Sequence, residues 1–498
     1  MEEIPESSST LQKQTKLENL CKRAILNSRQ ENQGFLEVIL RKKHIQYLLT
    51  GIRSLPSSFG SLDASRPWIC YWILHGLEVL EGLPPASDPL YHDIVQFLAR
   101  CQHPQGGFGG GPGQVPHLAP TYAAVSALSI IGTDEALGII DRTRLRDFLY
   151  AMRTPEGAFR MQADGEVDVR GVYCAIDVAS ICGLMEPELV RGTADWILRC
   201  QTYEGGFGGA PGNEAHGGYT FCGVAGLCLL AGLCGCDDPN LVCGSHPEVD
   251  PFGGMSTLDI DALMGWLSRR QQTIEGGFSG RTNKLVDACY SFWQGGAAVV
   301  TTLLYRLLMS IPAWRDRVLM VDVPPLVMSA ESAALSAERV AAGKEEARRR
   351  TEEGAVEAGR CQGEWLFDQR CLAEYIVRCC QSATGGVADK PEVPRDYYHT
   401  NYGLSGLALT QHCSETGVCL GRFRRSVDQT PGGKVNNHED ADAESEGWEE
   451  EEEVSGARNP EDLFMLHAVD PVFGLAPEKV DRAKAFFKAM PALPPRRV

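Results

Sequence analysis

Positive charge is scarce in this 498-residue chain: 47 Lys and Arg stand against 65 Asp and Glu, a formal net charge of −18. That balance argues against nucleic acid as a partner, because phosphate binding rests on an excess of cations. The deficit is uneven, since Glu439 to Glu453 holds ten acidic residues and no basic one. Long apolar runs are missing too. The best candidates are broken by Gly, Ser or a charge within about 12 residues, short of the ~20 that span a bilayer, so a membrane-spanning protein is not expected. The opening Met1-Glu-Glu-Ile-Pro-Glu6 lacks the apolar stretch of a secretory leader, and a cytoplasmic location is the expectation. In that setting the 18 cysteines read as reduced thiols, many on apolar helix faces such as Cys174, Cys182, Cys222 and Cys228. Alternation of β-branched and polar residues is absent, which argues against a strand-based fold.

What is present is a repeat. Glycine-rich phrases recur as Cys101-Gln-His-Pro-Gln-Gly-Gly-Phe-Gly-Gly110, Pro155-Glu-Gly-Ala-Phe159, Cys200-Gln-Thr-Tyr-Glu-Gly-Gly-Phe-Gly-Gly209, Glu275-Gly-Gly-Phe-Ser-Gly280 and Cys380-Gln-Ser-Ala-Thr-Gly-Gly-Val387. The first three are about 50 residues apart, the period of a helical hairpin. Between them, helices are predicted in six pairs. One set is nearly all apolar and small, near Trp68–Glu81, Thr121–Ile131, Val172–Gly183, Tyr219–Leu233, Tyr290–Met309 and Tyr398–Gln411. The other is amphipathic, near Tyr91–Gln102, Thr143–Met152, Glu188–Gln201, Leu258–Gln271, Leu366–Cys380 and Pro477–Met490. A helix apolar all round is buried on every side and an amphipathic one keeps a wet face. Six of the first inside six of the second make an all-α fold, an α/α barrel of six hairpins. The expected organisation is an N-terminal extension at 1–54, the barrel at 55–490 with solvated inserts at 234–255, 324–363 and 422–460, and a tail at 491–498.

The unusual polar residues cluster between each glycine phrase and the buried helix after it: His117; Glu166 and Arg170; His216 with Gly217 and Gly218; Arg281, Lys284, Asp287 and Cys289; Asp396 and His399. With the inner helices parallel, these positions meet on one rim, where helix N-termini add unpaired N–H groups and a positive dipole end. Such a rim suits a diphosphate. Gly218 removes a Cβ where a ligand oxygen could approach the backbone. Asp287 and Cys289 offer an oxygen and a thiolate ligand that suit zinc, with His399 as a third, leaving the fourth tetrahedral position open. The aromatics Trp68, Trp72, Tyr122, Tyr173, Tyr219, Trp293 and Tyr402 fall on predicted inner helices, so the lumen would take a greasy tail below an anionic head.

Longer phrases carry a family resemblance over about 55–411: Arg66-Pro-Trp-Ile-Cys-Tyr-Trp72, His117-Leu-Ala-Pro-Thr-Tyr122, Glu166-Val-Asp-Val-Arg170, Glu214-Ala-His-Gly-Gly-Tyr-Thr-Phe-Cys222, Asn283-Lys-Leu-Val-Asp-Ala-Cys-Tyr-Ser-Phe-Trp-Gln294 and Arg395-Asp-Tyr-Tyr-His-Thr400. The chain resembles the β subunits of protein prenyltransferases of the farnesyl type. The resemblance implies an α/α barrel that works with a separate α subunit. The pair would move a farnesyl group from farnesyl diphosphate to the cysteine of a C-terminal CaaX motif, on proteins such as small GTPases. It implies Asp287, Cys289 and His399 as ligands of Zn2+, and His216, Arg281, Lys284 and Tyr290 as the catalytic clamp on the diphosphate, with Gly218 beside them. Trp68, Arg170, Tyr173, Tyr219, Cys222 and Trp293 would line the isoprenoid site, and Trp68, Trp72, His117, Glu166, Arg170 and Tyr398 the peptide site. Asp389, in Ala388-Asp-Lys-Pro391, resembles a residue that holds Mg2+ near the diphosphate. Relatives that prefer geranylgeranyl place a lysine there and a small residue at the position of Trp68, so both positions favour farnesyl.

Overall fold

The computed structural model describes residues 9–31, 39–231, 257–310, 318–319, 366–412 and 466–494; the expected inserts at 234–255, 324–363 and 422–460 lie outside the described residues. Two helices lead in, α1 (Ser9–Glu31) and α2 (Arg41–Arg53). Apolar and amphipathic helices then alternate: α3 (Arg66–Val79), α4 (Pro89–Cys101), α5 (Leu118–Ile131), the short α6 (Asp134–Gly138), α7 (Arg142–Met152) and α8 (Val169–Ile181). The alternation continues through α9 (Pro187–Val190), α10 (Thr193–Arg199), α11 (Gly217–Leu230), α12 (Ile260–Ser268), α13 (Tyr290–Ser310), α14 (Gln369–Glu374), α15 (Tyr397–His412) and α16 (Pro477–Ala489).

Six of these close a ring. α3 packs on α5, α5 on α8, α8 on α11, α11 on α13, α13 on α15, and α15 returns to α3. Their composition makes this possible: α5 buries every residue but Ala119 and Ile131, whereas α4 buries only the stripe Tyr91, Ile94, Val95, Leu98 and Cys101 and keeps a wet face. The chain is an α/α barrel, as the repeat implied.

The glycine phrases are the corners. Each turns back so that the residue after the outer helix pairs with the aromatic that follows, Gln102 with Phe108, Gln201 with Phe207 and Gln271 with Phe278; these phenylalanines are buried. Glycine is required where the turn meets a neighbour: Gly205 has φ 106°, and a Cβ there would sit 2.0 Å from the carbonyl oxygen of Ala262. Glutamines clamp four of the five corners to the next outer helix, and Arg153 stands at the second, donating to the Leu189 carbonyl at 3.0 Å. Gln201 donates to the Asp259 carbonyl at 2.8 Å and accepts from its N–H at 3.0 Å, and Gln271 does the same with Asp368, both bonds 2.8 Å.

That rule corrects the sixth pair. Gln381 accepts from the N–H of Leu40 at 2.9 Å, at the start of α2, and α2 packs on α3. The outer place beside the last glycine phrase therefore belongs to α2. α16, expected there, packs instead on α5, α6 and α8. The segment before it enters the barrel at the C-terminal ends of the inner helices, where His467 donates to the Val79 carbonyl at 2.8 Å. It then runs into the lumen, where Tyr71, Tyr122 and Tyr173 donate their hydroxyls to the carbonyls of Gly474, Phe473 and Val472 at 2.8, 3.3 and 2.7 Å. It is a floor. The helix predicted at Glu188–Gln201 is split into α9 and α10, because Gly192 at φ 75° breaks it. The one predicted at Leu366–Cys380 opens later, on its Asp368 cap, and ends in a π-helical turn over Tyr375–Cys380.

Candidate functional site

Five inner helices are entered by one device. A polar residue stands at the same offset after each phrase's Phe or Val: His117, Asp168, His216, Asp287 and Asp396. For four of them the side chain accepts from the N–H two residues on, capping a helix start that would otherwise leave donors unpaired. Those bonds run from Ala119 (3.0 Å), Arg170 (2.8 Å), Gly218 (3.1 Å) and Cys289 (2.8 Å); Asp396 accepts from His399 at 2.7 Å. His117 and His216 are caps through Nδ1, so Nε2 is not used in the cap. Asp168 escaped the sequence reading, though its offset from Phe159 is that of the other caps.

Asp287, Cys289 and His399 come together. Their ligand atoms lie within 4.8 Å of one another, and His399 Nε2 is 3.3 Å from Asp287 Oδ1. The other ring nitrogen, Nδ1, bonds Asp396 at 2.6 Å, the arrangement by which a carboxylate fixes the orientation of a metal-binding imidazole. One carboxylate, one thiol and one imidazole in reach of a single point fit a zinc ion with an open fourth position. Burial pulls the His399 imidazolium down, but Asp287 and Asp396 on either side more than offset this and push it up to about 10. Burial and the Asp287 charge push the Cys289 thiol well up. Both protons must leave for a cation to bind, so metal loading releases acid.

Beside this cluster, Tyr290 Oη meets His216 Nε2 at 3.0 Å. Burial, with Arg281 next, lowers His216 to about 4. The ring is therefore neutral; with Nδ1 accepting from Gly218, its proton sits on Nε2. Arg281 reaches back to Glu214 at 2.9 Å. Lys284 is exposed at the end of a tight turn whose Asn283 has φ 58°, and no hydrogen bond or ion pair to a described residue holds it. Gly280 and Gly217 let Tyr290 approach: a Cβ would fall 2.0 Å from the Tyr290 ring at the first and 3.0 Å at the second. At Gly218 a Cβ would meet nothing nearer than the His216 ring at 3.5 Å, so the protein's own packing does not demand glycine there.

Below lies a closed circuit of rings. Trp68 contacts Tyr122, Tyr122 Tyr173, Tyr173 Phe221, and Phe221 Trp293, at centroid separations of 5.6, 5.6, 5.4 and 5.1 Å. It returns through Tyr402, Tyr398 and Trp72 to Trp68 at 4.3, 4.9, 5.4 and 5.6 Å. All six inner helices contribute, and offset or edge-on packing at these separations is the favoured geometry. Phe221 was not singled out in the sequence; only its place between Tyr219 and Cys222 could have shown it. Trp293 Nε1 donates to Tyr398 Oη at 3.1 Å, joining the aromatic wall to the helix that carries His399. Cys222, next to Phe221 in the chain, is buried. Tyr219 stands outside the circuit, under Arg170, whose guanidinium carbon is 5.8 Å from its ring. Arg170 also holds Asp168 at 2.6 Å and Glu166 at 3.6 Å, and the charges of Glu166 and Arg170 both act on half-buried His117. Asp389 lies close enough to Asp287 for their charges to interact; Lys390 pairs with one of its oxygens, and the other, Oδ1, is buried without a partner.

Residues 39–474 match the prenyltransferase alpha-alpha toroid domain. The chain is 40% identical over 407 residues to protein farnesyltransferase subunit beta of Arabidopsis thaliana, covering 76% of this chain and 75% of that one. It is 42% identical over 355 residues to the same subunit of Pisum sativum, covering 70% and 78%. Among solved structures, Candida albicans protein geranylgeranyltransferase-I complexed with GGPP aligns with a TM-score of 0.53 over 91% of this chain and 99% of that one, at 18% identity, a likeness of fold.

Proposed function

The chain belongs to the prenyltransferase α/α toroid family as a β subunit of protein farnesyltransferase, and from that premise we propose how its rim works. It is the zinc-binding half of a heterodimer with a prenyltransferase α subunit. It acts in the cytoplasm on proteins that end in a CaaX motif, small GTPases among them. One observation carries the reading. The Asp287, Cys289 and His399 cluster, the His216–Tyr290 pair and the aromatic circuit share one end of one lumen.

Bound zinc would hold the substrate cysteine as its thiolate near neutral pH, since a coordinating thiol is deprotonated. Asp287, Cys289 and His399 would hold the ion, with Asp396 keeping the imidazole turned. The aromatic circuit takes the isoprenoid, whose burial contributes about 0.8 kcal/mol per methylene. The sulfur–C1 bond forms as the C1–oxygen bond breaks, and the electron pair leaves with the diphosphate. Arg281 and Lys284 supply charge for it, while His216 Nε2–H and the Tyr290 hydroxyl donate, stabilising the charge that grows on the leaving oxygen. Asp389, with its buried unpartnered Oδ1, would hold magnesium against that diphosphate. His117, Glu166, Arg170, Trp72 and Tyr398 edge the mouth where the peptide enters.

Trp68 packs against Tyr71, Trp72 and Tyr122 and narrows the lumen, which favours three isoprene units over four. The test is reconstitution with an α subunit, followed by counting bound zinc and comparing turnover of farnesyl and geranylgeranyl diphosphates. One zinc per heterodimer and a farnesyl preference are expected. A preference for the C20 lipid, or a zinc-free active enzyme, would sink the reading.

A further inference from the structure

The five glycine phrases offer an internal comparison. The residue just before the corner glutamine, or before Arg153 in the second phrase, is Cys101, Met152, Cys200, Arg270 and Cys380 in turn. Four of the five are structurally equivalent by a shared bond. Their carbonyls accept from Gly109 (2.9 Å), Arg160 (2.8 Å), Gly208 (2.9 Å) and Ser279 (2.9 Å). All five are buried. The fold therefore places an apolar or thiol side chain there, yet one repeat puts a guanidinium in that spot, only 7% exposed and with Nε unpartnered. Burying a charge is costly unless it is used.

The repeat concerned is the one whose turn carries Arg281 and Lys284. Arg270 lies against the Trp266 ring, 5.2 Å from guanidinium carbon to centroid, and donates from NH1 to Thr282 Oγ1 at 3.1 Å. Thr282 in turn donates to Glu204 of the preceding phrase at 2.9 Å. Thr282 is flanked by Arg281 and by Asn283 at φ 58°, the residue that reverses the chain and delivers Lys284. Lys284 has no partner of its own among the described residues, so the geometry of its turn is set from beneath.

We propose that Arg270 is a positioning residue that holds the Arg281–Lys284 turn through the hydroxyl of Thr282 and so fixes where these two cations meet a diphosphate. The proposal rests on the reading of that turn as the diphosphate clamp. Arg270 touches no substrate, and its effect should fall on the anion alone.

The experiment uses the reconstituted heterodimer with Arg270→Met, which copies Met152 of the second repeat, and Thr282→Val, an exposed change that leaves the core alone. Inhibition by inorganic pyrophosphate reports the clamp directly, alongside KM for farnesyl diphosphate, KM for the peptide and bound zinc. Both variants should weaken pyrophosphate inhibition about tenfold, the size of one lost charge-assisted hydrogen bond. KM for farnesyl diphosphate should rise with it, peptide KM and zinc content should hold, and the double variant should be no worse than Arg270→Met alone. Lys284→Ala separates the two ideas. If it weakens pyrophosphate inhibition while Arg270→Met and Thr282→Val do not, the positioning role is wrong and the clamp stands. If Lys284→Ala has no effect, the clamp reading fails and this proposal with it. Additive losses in the double variant would also overturn the route through Thr282.

Discussion

The two ends of the lumen use the same kinds of side chain to opposite ends. At the floor, Asp177 is fully buried with neither carboxylate oxygen hydrogen-bonded, and burial pushes its carboxyl well above the usual range. Burial likewise raises Glu78 to about 7 and lowers His75 to about 4. At the floor, burial therefore favours the neutral form of each group. At the rim, burial alone would raise Asp287, but His399 more than offsets it and its carboxylate is held below the ordinary range. Apolar surroundings remove charge, and a facing partner keeps it.

Several changes can break or sharpen that contrast. The largest effect should come from Cys289→Ala, which removes the only sulfur donor among the three rim ligands. Turnover should fall to background and bound zinc should be lost, while farnesyl diphosphate binding survives; persistent turnover would discard the ligand assignment. Phe473→Ala should strike only the floor. A fully buried ring is deleted there, and denaturant unfolding should report a loss of about 3–5 kcal/mol with zinc affinity unchanged. Coupled loss of zinc would mean the two ends are not independent.

Next comes pH. Glu78 is raised in the folded state, so the folded protein binds its proton more tightly than the unfolded chain does. Its contribution is fully present below the unfolded pKa near 4.5 and is lost as pH rises through about 7. Glu78→Gln should remove a decline of up to about 3 kcal/mol over that window. A variant with the same slope of stability against pH as the parent would show that Glu78 is not held neutral. Smallest is Asp396→Asn, which keeps the shape of the brace on His399 and removes its charge. Zinc affinity should drop about 10–100-fold by equilibrium dialysis, and no change would mean that the brace does not tune the site.

The six inner helices, five of their outer partners and the rim as meeting point could be read from the chain, because each depends on local periodicity and on a phrase that repeats. Asp287, Cys289 and His399 were legible for the same reason: each stands at or just after a cap position in its repeat. What escaped depends on contacts between distant segments. Nothing in 39–53 marks α2 as an outer helix, since the clue is the Gln381 to Leu40 bond, which joins opposite ends of the chain. Nothing in 470–475 announces a floor, because its bonds come from tyrosines on α3, α5 and α8. Phe221 and Arg270 were missed because a buried ring reads as core and an arginine after a helix reads as solvent-facing. Only comparison of equivalent repeat positions in three dimensions sets them apart.

The proposed zinc site at the rim, with its fourth position left for the substrate sulfur, is tested most directly by replacing the metal with cobalt in the reconstituted heterodimer and recording its absorption spectrum. One thiolate ligand requires a sulfur-to-cobalt charge-transfer band that is absent from Cys289→Ala, and a peptide ending in a CaaX motif should raise that band as a second sulfur joins. A band that survives the substitution, or one that the peptide leaves unchanged, would contradict the site.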